Sequence, residues 1–347
     1  MSIDRALARP EDDRAAMPPP SPSPPARHSI EHTTGYDGGA ERGYRLIADV
    51  TRWPVLFPPC LAAQVLESDR DSERIRLWAV VGKEVSSWTS LRKIDEERLR
   101  VDFRQETPNP PLRWMSGHWL FEEEPGGRTR LVLGHEWSLV GTAEEEQRIA
   151  DALHRNSEAE TAALARWAGR PESPDELLFT VRDEVVVGAP PRQVYDFLYR
   201  ADRWPERIPH VAGLDLEESD EPGAGGAVVQ TLDMSTRAAD GSEHITQSVR
   251  LCFPYHRIAY KQTTVPRGLL GHSGEWVITA APEGTRVTAL HRAALDPEAV
   301  EEVFGPGTTL ATARDRAGTL LSTNSLRTLE MCRAHTVSGA DRTEEDA

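Results

Sequence analysis

Tyr44-Arg45-Leu46-Ile47-Ala48-Asp49-Val50-Thr51-Arg52-Trp53-Pro54 and Tyr195-Asp196-Phe197-Leu198-Tyr199-Arg200-Ala201-Asp202-Arg203-Trp204-Pro205 share one pattern. In each, a tyrosine leads at the same spacing to Trp-Pro, and the apolar residues between fall at near-helical intervals. Four more landmarks recur in order. Ser90-x-Arg92 returns as Ser248-x-Arg250, Ser116-Gly117-x-Trp119 as Ser273-Gly274-x-Trp276, His135 as His291, and Asn156-Ser157 as Asn324-Ser325. The offset is 151 residues at Trp53, 158 at Ser90 and 168 at Asn156, a drift that loop insertions explain. Two copies of one fold are therefore expected, and 347 residues suit two domains of ordinary size.

Each copy reads as a strand, a short amphipathic helix, Trp-Pro, about ninety residues of period-two pattern broken by Gly, Pro and Asp turns, and a long closing helix. The closing helices are predicted over 143–168 and from about 309 to 335. This is an α+β unit: a curved antiparallel sheet with a helix laid across it, leaving a space between. The expected domains are 28–169 and 177–336, joined by a linker over 170–176 that includes Gly169-Arg170-Pro171 at its start. The Pro- and Ser-rich segment 1–27 and the acidic end 337–347 cannot bury enough apolar surface to fold and read as disordered tails.

A formal charge of −16 and a pI near 5.2 argue against a nucleic-acid partner, which needs concentrated positive charge. Cys60, Cys252 and Cys332 are odd in number, far apart and without C-x-x-C spacing, so neither a disulfide framework nor a zinc site is encoded. The first residues are charged and Pro-rich, and no stretch of about 18 apolar residues occurs, so a cytoplasmic protein without membrane attachment is expected. His28 and His32 lack the glutamate of an H-E-x-x-H pair, and Gly223-Ala224-Gly225-Gly226 precedes a strand pattern where a phosphate loop needs a helix. No metal or other cofactor is called for.

Alternation places Leu131, Leu133, His135, Trp137 and Leu139 on one face of a strand, and Val287, Ala289 and His291 likewise. Each histidine is either a core residue held by a hydrogen bond or a pocket residue; its recurrence favours the pocket. The rows Trp88, Ser90, Arg92 and Thr246, Ser248, Arg250 are harder. Pattern alone sends them to solvent, because Ile245, Val249 and Leu251 occupy the other face.

The line Trp53-Pro-x-Leu-Phe57, Trp88-Thr-Ser90-Leu-Arg92, Met115-x-x-x-Trp119 and His154-Arg-Asn156-Ser157 resembles the polyketide aromatase/cyclases of bacterial type II pathways, and the doubled set resembles their di-domain members. The resemblance covers roughly residues 28 to 336. It implies two tandem helix-grip (START-like, Bet v 1-like) domains, each with an interior cavity. It turns Ser90, Arg92, Ser248 and Arg250 inward, and it implies a substrate-facing set of Trp53, Phe57, Trp88, Met115, Trp119 and Trp137 in the first copy and Trp204, His272 and Trp276 in the second. The family's pocket tyrosine is replaced by Cys60 and Val211, and a strand glutamine by His135.

The implied substrate is a poly-β-ketone tethered to an acyl carrier protein, ketoreduced in di-domain members and closed first between its seventh and twelfth carbons. Arg92 and Arg250, with Ser90 and Ser248, would stabilise the oxyanion of the aldol step, because an arginine stays protonated and cannot act as base. His135 and His291, with ordinary imidazole pKa values near neutrality, would move the proton. The rival expectation is a START-like carrier or folding chaperone for a hydrophobic molecule, against which a duplicated buried arginine argues. An acidic carrier protein would also need a local basic face for docking.

Overall fold

The computed structural model describes residues 27–82, 84–237 and 243–344, with side chains outside the description at 224 and 337–344. The first domain runs β1 (His28–Asp37), α1 (Ala40–Ala48), α2 (Trp53–Leu56), β2 (Cys60–Ser68), β3 (Ser72–Val81), β4 (Glu84–Asp95), β5 (Arg100–Gln105), β6 (Leu112–Glu124), β7 (Arg128–Leu139) and α3 (Ala143–Ala168). After a one-turn helix α4 (Pro174–Leu177) the order repeats. It gives β8 (Leu178–Val187), α5 (Pro191–Tyr199), α6 (Trp204–Arg207), β9 (Val211–Glu218), β10 (Val228–Arg237), β11 (Glu243–Phe253), β12 (Arg257–Thr264), β13 (Leu269–Ala281), β14 (Gly284–Leu295), α7 (Val300–Phe304) and α8 (Leu310–Glu344).

Each sheet has seven antiparallel strands, in the orders β1-β7-β6-β5-β4-β3-β2 and β8-β14-β13-β12-β11-β10-β9. Six strands form the meander that the period-two pattern requires, and the first strand of each domain returns to pair with the last, as Ile30 does with His135 and Val181 with His291. Local sequence sets the helix ends. Thr142 and Glu145 form a capping box at the start of α3, with Glu144, Glu145 and Glu146 in its first turn where the helix dipole favours acids. Pro54 and Pro205 sit in the first turn of α2 and α6, where a missing N–H costs nothing.

The tail expected over 1–27 lies outside the described residues apart from Arg27. The backbone of α8 continues to Glu344, past the residue 336 at which the fold was expected to end. Residues 170–176 are more than a tether: Ser173 caps α4, and Leu177 is fully buried in the first domain's core. Among the described residues no helix is long and apolar enough to cross a membrane.

The two domains share apolar surface. Leu61, Ala62 and Trp78 of the first pack with Ala227, Leu251, Phe253 and Ala259 of the second. This explains why β11 is apolar on the face that alternation would assign to a domain core. Val249 and Leu251 point away from their own cavity and are covered by the neighbouring domain, while Ile245, beyond that contact, is 68% exposed. Lys261 crosses the same boundary. Its buried ammonium donates to the carbonyls of Phe57 (2.6 Å), Pro58 (2.9 Å) and Cys60 (3.0 Å), and burial lowers its pKa to about 8. Gly271 lies so close to Val55 that a Cβ there would stand 2.8 Å from the Val55 carbonyl oxygen.

Candidate active site

Each closing helix lies across its sheet and encloses a cavity, about 260 Å³ in the first domain and about 190 Å³ in the second. Trp53, Trp88, Ser90, Arg92, Met115, Trp119 and His135 line the first; Trp204, Ser248, Arg250, His272, Trp276 and His291 line the second. The inward turn of the Ser-x-Arg rows, which alternation alone had sent to solvent, is thus realised in both domains. Two expected residues stand elsewhere. Phe57 is fully buried core, stacked on Trp119 at 6.2 Å, because α2 ends against the domain interface. Trp137 is buried beyond the cavity and stacks on His28 at 5.5 Å.

Arg92 is 2% exposed and mostly engaged. Its Nη2 donates to the Ile47 carbonyl at 2.7 Å, both terminal nitrogens lie near the Ala48 carbonyl, and Nη1 meets Glu73 at 3.1 Å. Burial lowers its pKa to about 10, with Glu73 opposing. Its guanidinium sits over Trp53 at 5.3 Å, as that of Arg250 does over Trp204 at 5.2 Å, and Arg250 donates to the Leu198 carbonyl at 2.6 Å. The repeated Trp-Pro and Ser-x-Arg landmarks are therefore one device. The arginine ties the carbonyl end of the first helix of its domain to the sheet and stacks on the tryptophan that follows.

What remains free differs between the two. Arg92 keeps only Nε–H without a partner, whereas Arg250 keeps Nε and Nη1 and has Gln230 where Arg92 has Glu73 across the ladder. The expectation of an arginine held solely for an oxyanion is corrected by this geometry: its first task is to anchor a helix end, and one or two buried N–H groups are left over.

His135 lies across the ladder from Gly117, as His291 does from Gly274. A Cβ at Gly117 would collide with the Phe103 ring, and one at Gly274 with Tyr260, so the glycine of the Ser-Gly-x-Trp landmark makes room for an aromatic residue on the next strand. His135 Nδ1 is 3.4 Å from Ser157 Oγ, and its ring meets Phe103 edge-on. Burial lowers its pKa to about 4, with His32 and His118 adding to the effect. The titration near neutrality expected for His135 is thus corrected: the apolar cavity keeps the imidazole neutral.

In the second cavity the Tyr260 hydroxyl and His272 Nε2 lie 2.8 and 3.1 Å from His291 Nδ1, and His272 Nδ1 is 2.8 Å from Gln262 Oε1. Burial, then the neighbouring imidazole, lowers His272 to about 3; burial lowers His291 to about 4, with Asp183 opposing. Cys60 lines the first cavity with its thiol pushed up to about 12 by burial, so it is no nucleophile there.

Sequence reading missed Gln105 and Gln262, which line the two cavities directly across the ladder from Ser90 and Ser248. The signal was present, since Phe103-x-Gln105 recurs as Tyr260-x-Gln262 at an offset of 157 residues. It also missed Glu160, which lines the first cavity one turn beyond Asn156.

Family models described as polyketide cyclase / dehydrase and lipid transport match residues 40–143 and 179–325. The granaticin polyketide synthase bifunctional cyclase/dehydratase of Streptomyces violaceoruber is 41% identical over 94% of this chain and 98% of its own length. The actinorhodin polyketide synthase bifunctional cyclase/dehydratase of Streptomyces coelicolor is 42% identical over 88% of this chain and 96% of its own. Among solved structures, the di-domain ARO/CYC BexL superposes with a TM-score of 0.71 at 39% identity, covering 89% of this chain and 98% of BexL. With its two sheets, two cavities and doubled Ser-x-Arg, this chain belongs to the polyketide cyclase/dehydrase family as one of its di-domain aromatase/cyclases.

Proposed function

We propose that this polyketide aromatase/cyclase folds a carrier-protein-tethered, ketoreduced poly-β-ketone inside its cavities, closes the first ring by an aldol step and removes water to make it aromatic. The observation that carries the reading is the pairing, in both cavities, of a serine hydroxyl with an arginine whose buried Nε–H has no partner. An unpaired donor of this kind costs stability unless something arrives to meet it. A ketone oxygen that becomes an enolate or alkoxide is such a partner, and the fixed donor becomes most valuable as charge develops in a site poor in water. Trp53, Trp88 and Trp119 give the first cavity flat apolar walls that restrict how the chain coils. Positioning of this kind can supply up to about 7–11 kcal/mol of barrier reduction.

The partner in this reading is an acyl carrier protein, and the compartment is the cytoplasm, in keeping with three buried cysteines that remain unpaired. The printed names of the granaticin and actinorhodin relatives, which join cyclase and dehydratase in one protein, support a chain that performs both steps. The test is Ser90→Ala, Ser248→Ala and the double variant in a reconstituted synthase with its ketoreductase. The expected result is a shift from aromatic product to shunt compounds, greatest in the double variant. Unchanged product from a folded double variant would leave a carrier or chaperone as the surviving reading.

A further inference from the structure

The closing helix α3 carries a side chain that the repeat does not single out. Ile149 and Leu153 face the first cavity, and the next turn on that face presents Asn156, Ser157 and Glu160. Two of these are held. Asn156 donates to the Val80 carbonyl at 3.2 Å, and Ser157 Oγ is 3.4 Å from His135 Nδ1. Glu160 is in a different position: no hydrogen bond or ion pair is recorded for its carboxyl within the described residues.

The second domain shows what a structural residue looks like there. The offset of 168 residues between Asn156 and Asn324 places Thr328 opposite Glu160, and its hydroxyl donates to the Asn324 carbonyl at 3.0 Å. Thr328 lines its cavity at no electrostatic cost, whereas Glu160 puts an ionisable group against apolar walls, an arrangement that folding alone does not reward.

We propose that Glu160 is the general acid and base of the first cavity, a role that rests on the cyclase reading above. As carboxylate it takes a proton from the methylene between two carbonyls; the C–H electron pair becomes an enolate, and the enolate carbon bonds to the carbon of a second ketone. The protonated acid then gives its proton to the resulting alkoxide. In dehydration the carboxylate removes the next α-proton, the C–O bond breaks, and the same proton leaves with the hydroxyl as water. The sequence is redox-neutral and releases one water for each double bond formed.

Burial pushes the carboxyl up to about 7, so both protonation states are available at neutral pH. His135, kept neutral and hydrogen-bonded to Ser157, then serves as a positioning neighbour.

The experiment uses the intact chain in a reconstituted synthase and compares wild type with Glu160→Gln and Glu160→Asp by product analysis, rate against pH from 5.5 to 8.5, and thermal unfolding. Expected are a rate loss of roughly 100-fold or more in Glu160→Gln, disappearance of the ionisation near 7, an unfolding midpoint at or above wild type, and partial rescue with the ionisation retained in Glu160→Asp. An active wild type with a Glu160→Gln variant of equal rate and unchanged pH profile overturns the assignment alone. A folded wild type that gives no cyclised product overturns the cyclase reading and the assignment with it. Should Glu160→Gln unfold, a Glu160→Asp variant without the ionisation near 7 overturns the assignment.

Discussion

Replacing Arg92 by alanine removes a cation that joins three parts of the first domain: the end of α1 through Ile47 and Ala48, β3 through Glu73, and Trp53. Deleting one partner of a buried ion pair costs about 3–5 kcal/mol, and Glu73, with a side chain 17% exposed, recovers only part of its hydration. Arg250→Ala loses one charged hydrogen bond, worth about 1.5–3 kcal/mol, but also removes a buried guanidinium with two unpartnered nitrogens, which offsets much of that loss. At about 2–4 °C per kcal/mol for a domain of this size, Arg92→Ala should lower the unfolding midpoint by roughly 6–20 °C and Arg250→Ala by less than half as much. Calorimetry on the purified variants measures both. Equal losses, or a larger loss in Arg250→Ala, would refute the division of the two arginines into a bound anchor and a freer donor. The comparison also governs how activity is interpreted, because an inactive Arg92→Ala has lost a helix anchor as well as a donor.

Acid stability follows from the buried imidazoles. His135, His272 and His291 are held near 4, 3 and 4, below the ordinary 6.5, so their stabilising contribution is full above pH 6.5 and is lost as pH falls through those values. Glu160, raised to about 7, acts in the opposite sense: its contribution is full below its ordinary value and is lost as pH rises through 7. Between about pH 4.5 and 6.5 the unfolded chain therefore binds up to about two more protons from these four groups, a slope of at most ~2.7 kcal/mol per pH unit. Urea titrations across that window should show a shallower slope in His272→Gln, and an identical slope would contradict the assignment of His272 as neutral. Lys261→Met strands three buried carbonyls at the domain boundary and should destabilise the chain by about 2–4 kcal/mol. A chemical-denaturation midpoint unchanged from wild type would show that this cross-domain contact is dispensable.

Much of this architecture was legible because its signals are local. Helical spacing from Tyr44 to Trp53, the period-two meander and the Ala143–Ala168 helix each depend on neighbours within a few turns. The direction of Arg92 and Arg250 was not, since alternation reports two faces of a strand without saying what covers them. In β11 the second cover is another domain, and Leu251 against Trp78 is a contact between residues far apart in the chain. Lys261 was hidden for the same reason. Glu160 was within reach: it interrupts the apolar stripe of α3 at a position where Thr328 shows that no acid is needed.

The central claim is that polyketide chemistry takes place in the hollows beneath α3 and α8. Leu153 and Leu321, which occupy equivalent positions on these helices and line the two cavities, allow it to be tested without touching any polar group. Leu153→Trp and Leu321→Trp add volume to one hollow each. In a reconstituted synthase, with folding verified by circular dichroism, the double variant should give shunt compounds in place of the aromatic product. Wild-type product from the folded double variant would contradict the account.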